Sequence, residues 1–527
     1  MMKEKVKLLF VMLFAVAVLA ACSFSNPEEN TSSENGGTSF KNEIKIGLDV
    51  DATKLDTRLA SDSSSKRVTE VVYNGLIRLN TNLEPTPDLA ESWENPDELT
   101  WIFNLREGVK FHDGEVLTAE DVKYTFDTIL DPAFQSNSLA LFSPIKSVEI
   151  VDDYKVQFNL SQAYAPLLSY LEIGIVPKHI AEVDSESLIT KPIGTGPYKF
   201  DSWDKNSKIV LTANKEYYAG TPKTEKLTYF IIPDNSTRVA SLESGDIDFI
   251  HSPLSASDVE RMRGNNDFIT EEKEGVGYTY LNFNMKNEKT ADLKVRQAIS
   301  HLIDKETISS AIYRGMDKPA KSPLVPSSWA YSDDVPDFEY SPEKAKELLK
   351  EAGYEDTNGD GIVDKNGVNL EIELATHTED PNRIQVVEYL QNEFSKNGIK
   401  TRVTTTEWST FSNNMMEGKY EVALLGWLNL FDPDRATYNQ FHSSSGNNYG
   451  KYNNPKVDAL LEEGRENSEQ AKRKEIYKEV ATIVNEEVAY NVLLYQGYVV
   501  IHSKKLIGFE SSPNGSFYSM VNVQVEN

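Results

Sequence analysis

Cysteine is nearly absent from this sequence: Cys22 is the only one in 527 residues. A single thiol excludes an intramolecular disulfide, so burial and packing must supply the stability of the fold. Long apolar runs are also scarce. The longest, residues 8–21, holds 14 residues, whereas a helix that spans a bilayer needs about 20. No apolar run in the sequence is therefore long enough to be a membrane-spanning helix.

The start of the chain has the features of a cleaved and lipidated leader. Lys3, Lys5 and Lys7 precede the apolar run, whose length suits a signal peptide, about 7–15 residues. The run ends in LAAC at residues 19–22, which resembles the bacterial lipobox, where cleavage precedes the cysteine and that cysteine is lipidated. The alternative, a lone free thiol, is a liability in an exported protein. We predict a signal peptide at residues 1–21 and lipidation of Cys22.

The residues after the cysteine predict a flexible tether. Residues 23–41 are rich in Ser, Asn, Glu, Thr and Gly, and such a segment cannot bury enough apolar surface to order itself. A coil of these 19 residues has a mean reach of about 24 Å. Residues 22–41 would hold a folded body, residues 42–527, just off a membrane surface.

Basic residues are outnumbered in this chain. The 82 Asp and Glu residues against 54 Lys and Arg give a formal net charge of −28. A body this acidic repels nucleic acid and anionic lipid headgroups, so we predict no nucleic-acid partner. The body also exceeds the ~250–300 residues that one hydrophobic core supports, so we expect at least two lobes.

Common catalytic signatures are missing as well. The sequence has no G-x-S-x-G elbow and no Walker A loop, and no two of its seven histidines lie at zinc-ligand spacing. We predict no enzymatic activity, no cofactor and no resident metal. A secreted, lipid-anchored hydrolase is the alternative from another functional class.

The best local metal candidate is EDTNGDGIVDKNG, residues 355–367. Positions 1, 3, 5, 6 and 9 of a calcium loop would be filled by Asp356, Asn358, Asp360, Gly361 and Asp364. Position 12 is Gly367, where an EF-hand needs a bidentate Glu. We therefore favour a polar turn over a calcium site.

The remaining sequence mixes strand and helix patterns. DYKVQFNL, residues 153–160, alternates apolar and polar positions as a half-buried strand does, and KIVLTAN, KLTYFIIP, YTYLNFN and NLEIELAT are further strand candidates. Helices are predicted after Thr118 and Asp121, which have capping-box spacing, and between Ser341-Pro342 and Gly353. Strands separated by helices over this length predict an α/β or α+β architecture with several lobes.

Five longer stretches occur in an order that resembles one known family. They are VVYNGLIRLNTNLEPTPDLAESW (71–93), LREGVKFHDGEVLTAEDVKYTF (105–126), GTGPYKF (194–200), LNFNMKNEKTADLKVRQAISHLIDKETI (281–308) and YSPEKAKELLKEAGY (340–354). The succession resembles the extracellular solute-binding proteins of family 5, the peptide- and nickel-type receptors of bacterial ABC importers. The resemblance runs from about residue 42 to the end.

This resemblance implies a two-lobed fold, similar to the type II periplasmic binding proteins, that closes over its ligand like a flytrap. The first lobe would comprise residues 42–72, 191–287 and 497–527, with an extra domain inserted at 73–190. The second lobe would comprise residues 288–496. The chain would cross between lobes near LNFNMKN and near YNVLLYQGY, two β-like stretches suited to a hinge.

The implied function is that of an oligopeptide-binding lipoprotein on the extracellular face of the cell membrane of a bacterium, of the Gram-positive type. Its partners would be the permease and ATPase subunits of an ABC importer, and it would act as a monomer. Because the fold alone does not specify the ligand, a receptor for a nickel chelate or a sugar is the alternative.

The resemblance also implies residues of the ligand cleft. Trp408 and Trp427, 19 residues apart, match the paired pocket tryptophans of peptide receptors, whose rings give wide apolar walls. Tyr278 and Tyr280 lie where the family places a strand that pairs with the ligand backbone. His377 and Tyr449 are further candidates for the cleft.

One position departs from the pattern of many dipeptide and oligopeptide receptors. These carry an Asp about three residues after the second tryptophan, which pairs with the amino terminus of the ligand, but Leu430 stands there in this sequence. The nearest carboxylates are Asp432 and Asp434. Either Asp432 takes over this role, or it bonds its own backbone before Pro433 and no terminal anchor exists, as in a receptor for longer peptides; we favour the second.

Overall fold

The computed structural model describes residues 39–428 and 430–527. The predicted signal peptide, Cys22 and the tether up to residue 38 lie outside the described residues. Phe40 pairs with Glu526 in an isolated β-bridge, and the Lys41 amide donates to the Val525 carbonyl at 2.7 Å. The compact body therefore starts at Phe40, two residues before its predicted start at residue 42.

The described residues form strands and helices in alternation along the chain. The strands are β1 Glu43–Leu48, β2 Ile77–Leu79, β3 Pro85–Pro87, β4 Ala90–Asp97, β5 Thr100–Leu105, β6 Ile145–Asp152, β7 Lys155–Leu160, β8 Tyr198–Asp204, β9 Lys208–Ala213, β10 Lys226–Ile231, β11 Phe249–Ile250, β12 Phe268–Phe283, β13 Lys318–Pro319, β14 Asp364–Lys365, β15 Val368–Asn369, β16 Glu371–His377, β17 Lys400–Thr406, β18 Val422–Trp427, β19 Tyr490–Ser503, β20 Leu506–Ile507 and β21 Gln524–Val525. The helices are α1 Ser63–Val72, α2 Ala119–Leu130, α3 Leu139–Phe142, α4 Leu167–Tyr170, α5 Lys178–Ala181, α6 Asn235–Ser244, α7 Ala256–Arg263, α8 Leu293–His301, α9 Lys305–Thr307, α10 Pro342–Glu351, α11 Pro381–Lys396, α12 Trp408–Met416, α13 Pro433–Phe441, α14 Pro455–Glu466 and α15 Gln470–Glu486. Among these helices, none has the length and apolar character that crossing a membrane requires.

The two predicted helix signals are confirmed, and each has a clear physical cause. At the start of α2, Thr118 and Asp121 form a reciprocal capping box that satisfies two free amide groups of the first turn. At α10, the Ser341 side chain accepts from the Lys344 amide and Pro342 is the first helical residue. Gly353 follows the helix with φ +89°, a conformation that glycine adopts without steric cost.

A mixed sheet of 11 strands organises the two lobes, in the order β17-β16-β18-β12-β19-β11-β1-β10-β9-β8 with β13 beside β19. Strands β1, β8, β9, β10 and β11 lie on one side of the long pair β12 and β19, and β16, β17 and β18 lie on the other. Each side has its own apolar core. The fold is therefore the two-lobed α/β fold expected from the motifs.

A separate four-stranded antiparallel sheet, β4-β5-β7-β6, lies within residues 73–190. Val156, Phe158 and Leu160 point from β7 into a core that α2 covers with Phe126, as the alternating pattern of that strand predicts. This sheet gives the segment 73–190 a core of its own.

The long strands β12 and β19 pass from one lobe to the other. Residues 268–274 of β12 pair with 503–497 of β19, and the register then breaks before Tyr278. From Tyr278 to Phe283, β12 also pairs with β18 of the second lobe. The chain thus crosses near residues 274–278, earlier than the predicted crossing at LNFNMKN (281–287). The other crossing, next to Gly497, lies within the predicted segment YNVLLYQGY.

Candidate ligand-binding cleft

The directions of the strands locate a cleft between the lobes. In the first lobe, β1, β10 and β11 are parallel to one another and run toward the second lobe. In the second lobe, β16, β17 and β18 are parallel to one another and run in the opposite direction, antiparallel to β12. The carboxyl ends of both groups therefore face each other across the junction, and in open α/β sheets ligands bind outside these ends.

Three predicted site residues meet at the second-lobe edge of this cleft. His377 ends β16, Trp427 ends β18, and Trp408 follows β17. The ring of His377 contacts that of Trp408 edge to face, with centroids 5.1 Å apart. Trp408 is 48% exposed, so much of its apolar surface is open to solvent.

The imidazole of His377 is held in one orientation. Its Nε2 accepts from the Arg383 guanidinium at 2.9 Å, and its Nδ1 lies 3.0 Å from the Glu379 carboxylate. Burial lowers the pKa of His377, and the nearby Arg383 lowers it further. A neutral ring that donates from Nδ1 to Glu379 and accepts at Nε2 fits this geometry.

Trp427 stands in a column of stacked rings. It lies parallel to Tyr280, with centroids 6.3 Å apart, and to Tyr449, with centroids 5.6 Å apart. Tyr490 packs against the other side of Tyr280, at 4.6 Å. The structure therefore brings the predicted Trp427, Tyr280 and Tyr449 together in one aromatic wall, which also lines a narrow pocket with Asn448.

The prediction that the strand around Tyr278 and Tyr280 pairs with a ligand backbone does not hold in this structure. Its residues bond to β18 on one edge and to β19 on the other, so neither edge is open. Both tyrosine side chains are fully buried, and the Tyr278 hydroxyl hydrogen-bonds to that of Tyr490. Tyr280 is thus the buried part of the aromatic wall, and Tyr278 packs against it.

Asp432 and Asp434 are buried and have partners within the protein, 4% and 1% exposed. Asp432 caps α13 by accepting from the Asp434 amide at 2.9 Å, and Ser169 of the inserted segment donates to it. Asp434 forms an ion pair with Arg465 at 2.7 Å and accepts from the Tyr170 hydroxyl at 3.1 Å. Neither carboxylate faces the cleft, because both join α13 to its neighbours.

The first-lobe edge holds residues that the motifs did not indicate. Asp49 follows β1 and His251 follows β11. The ring of His251 packs against Tyr498 of β19, with centroids 5.0 Å apart. Arg67 of α1 lies close enough to His251 and Tyr498 to affect the pKa values of both side chains. Residues so far apart in sequence form no local pattern, so nothing in the sequence marked them.

The loop at residues 355–367 is built as a polar turn. Asp356 accepts the amides of Gly359 and Gly361, and Asp360 accepts that of Ile362. Asp364 accepts the Thr357 amide at 2.8 Å, and this bond is the main cause of its lowered pKa. These carboxylates are thus engaged by the loop itself, and the described residues contain no cluster of three acidic, His or Cys side chains that could hold a metal ion.

Comparison with known proteins identifies the family. The model of the bacterial extracellular solute-binding proteins, family 5 (middle), matches residues 84–449. The chain belongs to family 5 of the bacterial extracellular solute-binding proteins. This confirms the resemblance seen in the five ordered motifs.

Two relatives within family 5 match over almost the whole chain. The oligopeptide-binding protein AppA of Bacillus subtilis (strain 168) is 31% identical over 536 residues, which cover 98% of this chain and 98% of AppA. A solved structure of AppA with a nonapeptide has a TM-score of 0.85 at 30% identity and covers 93% of this chain and 100% of that chain. The structure of NikZ from Campylobacter jejuni with Ni(L-His) has a TM-score of 0.85 at 32% identity and covers 92% of this chain and 99% of NikZ.

Family 5 membership alone leaves the solute open. Heme-binding protein A of Haemophilus influenzae is also 30% identical, over 98% of this chain and 99% of that protein. One fold thus serves members named for a peptide, a nickel complex and heme, so the side chains of the cleft must decide the ligand.

Proposed function

We propose that this protein is an extracellular receptor that binds oligopeptides and delivers them to the permease and ATPase of an ABC importer, without catalysis of its own. The observation that carries the proposal is the cleft, where two sets of strand ends face each other and Trp408 and the Trp427 column form apolar walls. Full-length similarity to an oligopeptide-binding protein supports the choice of peptide.

The architecture suits a ligand of variable side chains. Broad aromatic walls accept many apolar groups, while hydrogen bonds to the peptide backbone fix its position. Closure of the lobes over the ligand would favour one conformation of the receptor, which the importer could then recognise. Monomeric action is sufficient for this scheme.

Native mass spectrometry of the protein as purified tests the proposal. We expect the native mass to exceed the mass of the protein alone. On denaturation the excess should appear as free peptides, whose lengths show the length preference of the cleft. Addition of a synthetic peptide of the same length should displace the retained mixture. Failure to find peptides, together with no binding from a pool of two- to twelve-residue peptides, would refute the proposed ligand.

A metal chelate is the second candidate, because NikZ, with its bound Ni(L-His), matches this structure as well as AppA does. Elemental analysis of the same sample tests for the chelate, since stoichiometric nickel or iron would favour it. A retained mass that matches a carbohydrate would instead favour a sugar. A hydrolase would release amino acids from peptides at micromolar protein concentration, and a pure receptor would not.

We further propose that a lipid on Cys22 anchors the receptor to the outer face of the cell membrane. Stable anchoring needs two or more acyl chains, since one chain binds only marginally. Cells expressing the original protein should incorporate labelled palmitate into it and retain it in the membrane fraction. Cys22→Ser should abolish the label and release the protein to the medium, whereas Ser25→Ala, a neighbouring control, should change neither.

A further inference from the structure

Arg67 is a half-buried cation that forms no ion pair among the described residues. Its side chain lies on the second turn of α1, and its Nη1 is buried without a hydrogen-bond partner among the described residues. Asp62 lies nearby, but its oxygens accept from the Ser65 amide, the Ser65 hydroxyl and Thr53. Arginine stays protonated in proteins, so this position attracts a negative group.

Carboxylates surround Arg67 without pairing with it directly. Asp49 lies within electrostatic range of both Arg67 and Arg238. Arg238 donates to the carbonyls of Ile232 and Pro253, which are neutral. Asp62 also lies within range of Arg67, and Asp234 and Asp258 lie within range of Arg238, but among the described residues none of these carboxylates forms an ion pair with Arg67.

Two further side chains beside Arg67 have unused hydrogen-bonding groups. His251 is 5% exposed, and both of its ring nitrogens are buried without partners in the described part of the chain, as is the hydroxyl of Tyr498. Burial lowers the pKa of His251, and Arg67 lowers it further, so the ring is neutral and offers one donor and one acceptor. Unpaired buried polar groups are costly, and a bound ligand would satisfy them.

The cluster borders the cleft, although its unpaired atoms are themselves covered. Arg67 and Tyr498 are each partly exposed, and they lie on the first-lobe side of the junction, where the carboxyl ends of β1 and β11 point. Lys66, the neighbour of Arg67, has its pKa lowered to about 8, chiefly by burial and then by Arg435 of the second lobe. Two cations from opposite lobes therefore approach each other here. Glu172 is near both, but its pKa is raised to about 7 by burial, so it is only partly ionised at neutral pH.

We propose that Arg67, Tyr498 and His251 hold a carboxylate of the bound solute against the first-lobe wall of the cleft. The Arg67 guanidinium would form the charged hydrogen bonds, for which its planar fork is suited, and Tyr498 and His251 would each donate one more. This inference rests on the proposed function and narrows it: the ligand is an oligopeptide whose carboxyl terminus or acidic side chain reaches α1.

Calorimetry with three matched peptides tests the inference. The peptides have the length found on the purified protein, or are nonapeptides if the purified protein retains no peptide. The first peptide has a free carboxyl terminus and no acidic side chain. The second is its carboxyl-terminal amide, and the third is the amide with one central Glu. We expect the second to bind about ten- to a hundredfold more weakly than the first or the third, since hydrogen bonds to charged groups are worth this much. Tight binding of the first peptide would identify the carboxyl terminus as the bound carboxylate, and tight binding of the third would identify the acidic side chain.

Variants then assign the effect to the cluster. In Arg67→Gln the advantage of the carboxylate peptide should fall to about threefold or less, and Tyr498→Phe should lose part of it. Arg402→Gln, an exposed arginine on β17 that pairs with Glu373, should keep the full advantage. Thermal melts show whether each variant is folded. The comparison of the three peptides on the original protein uses no variant, so it stands even where a variant does not fold.

Two results would overturn the inference. Equal affinity of the original protein for all three peptides would do so while leaving the proposed function intact, and so would an undiminished carboxylate preference in Arg67→Gln. Binding of none of the peptides, at any of the lengths in the pool, would refute the proposed function and this inference together.

Discussion

At the residue scale, Asp432 and Trp427 differ in how far they are exposed. Asp432 is nearly inaccessible, caps α13 and lies 3.7 Å from the Arg473 guanidinium. Burial raises its pKa, and Arg473 opposes this rise. Trp427, in contrast, is partly exposed at the end of β18. The capping role favoured for Asp432 is the one the structure shows.

We therefore expect peptide affinity to depend on Trp427 and not on Asp432. Trp427→Ala should weaken binding about ten- to a hundredfold, because it removes a large apolar surface from the wall. Asp432→Asn and acetylation of the peptide amino terminus should each change affinity less than about threefold. Calorimetry on one peptide and its acetylated form, with both variants, measures this.

Trp93→Ala, on β4 of the inserted segment, is the matched control and should leave affinity unchanged. A large loss confined to the free-amine peptide in Asp432→Asn would show instead that this carboxylate anchors the ligand.

At the scale of elements, the crossing strands are the place where the lobes can move. The register of β12 against β19 breaks between Glu274 and Tyr278. Beside this break, the Gly497 amide donates to Asp317 at 3.0 Å, and a Cβ on Gly497 would lie 2.5 Å from the Met316 carbonyl oxygen. Glycine is therefore required at this crossing by the close approach of two backbones.

Asp317 gives this hinge a pH dependence. Burial raises the pKa of its carboxyl from 3.8 to about 7, with Asp380 adding to the rise and Arg383 opposing it. The neutral carboxyl of Asp317 therefore stabilises the folded state fully below the unfolded pKa of 3.8. This stabilisation is lost as the pH rises through about 7. Asp317→Asn should be more stable than the original protein at pH 8, and this advantage should shrink by roughly 2 kcal/mol at pH 5.

Denaturant unfolding of both proteins at the two pH values measures the change. Asp333→Asn, at an exposed position, is the matched control and should have the stability of the original protein. An advantage of Asp317→Asn that is the same at pH 5 and pH 8 would mean that the carboxyl does not titrate in this range.

At the scale of the whole molecule, the two lobes are joined by two strands and by contacts of the inserted segment with α13 and α14. Ligand binding should draw the lobes together about the crossings, since hinge motion changes a few residues and leaves the elements intact. Small-angle scattering should show a smaller radius of gyration with bound peptide, while circular dichroism stays the same. Protein stripped of ligand by mild denaturation and refolding is the reference state, and identical scattering profiles in the two states would argue against closure.

Much of this protein follows from its sequence alone. The helix ends at Thr118, Ser341 and Gly353 depend on neighbours within a few residues, so local patterns predict them. The alternation in β7 reports burial on one face of a strand, which is also local. The five ordered motifs were sufficient to assign the family and hence the two-lobed fold.

The partners of the functional side chains were decided only by the tertiary structure. Asp434 meets Arg465 and Tyr170, and Arg67 comes within electrostatic range of His251 and Tyr498, across separations of up to hundreds of residues. Likewise, the pairing of both edges of β12 depends on β18 and β19, which lie far along the chain. Spacing in a sequence reports the geometry of one helix or strand. Which carboxylate is buried, and which strand edge stays open, depends on how distant elements pack, and no local pattern records that.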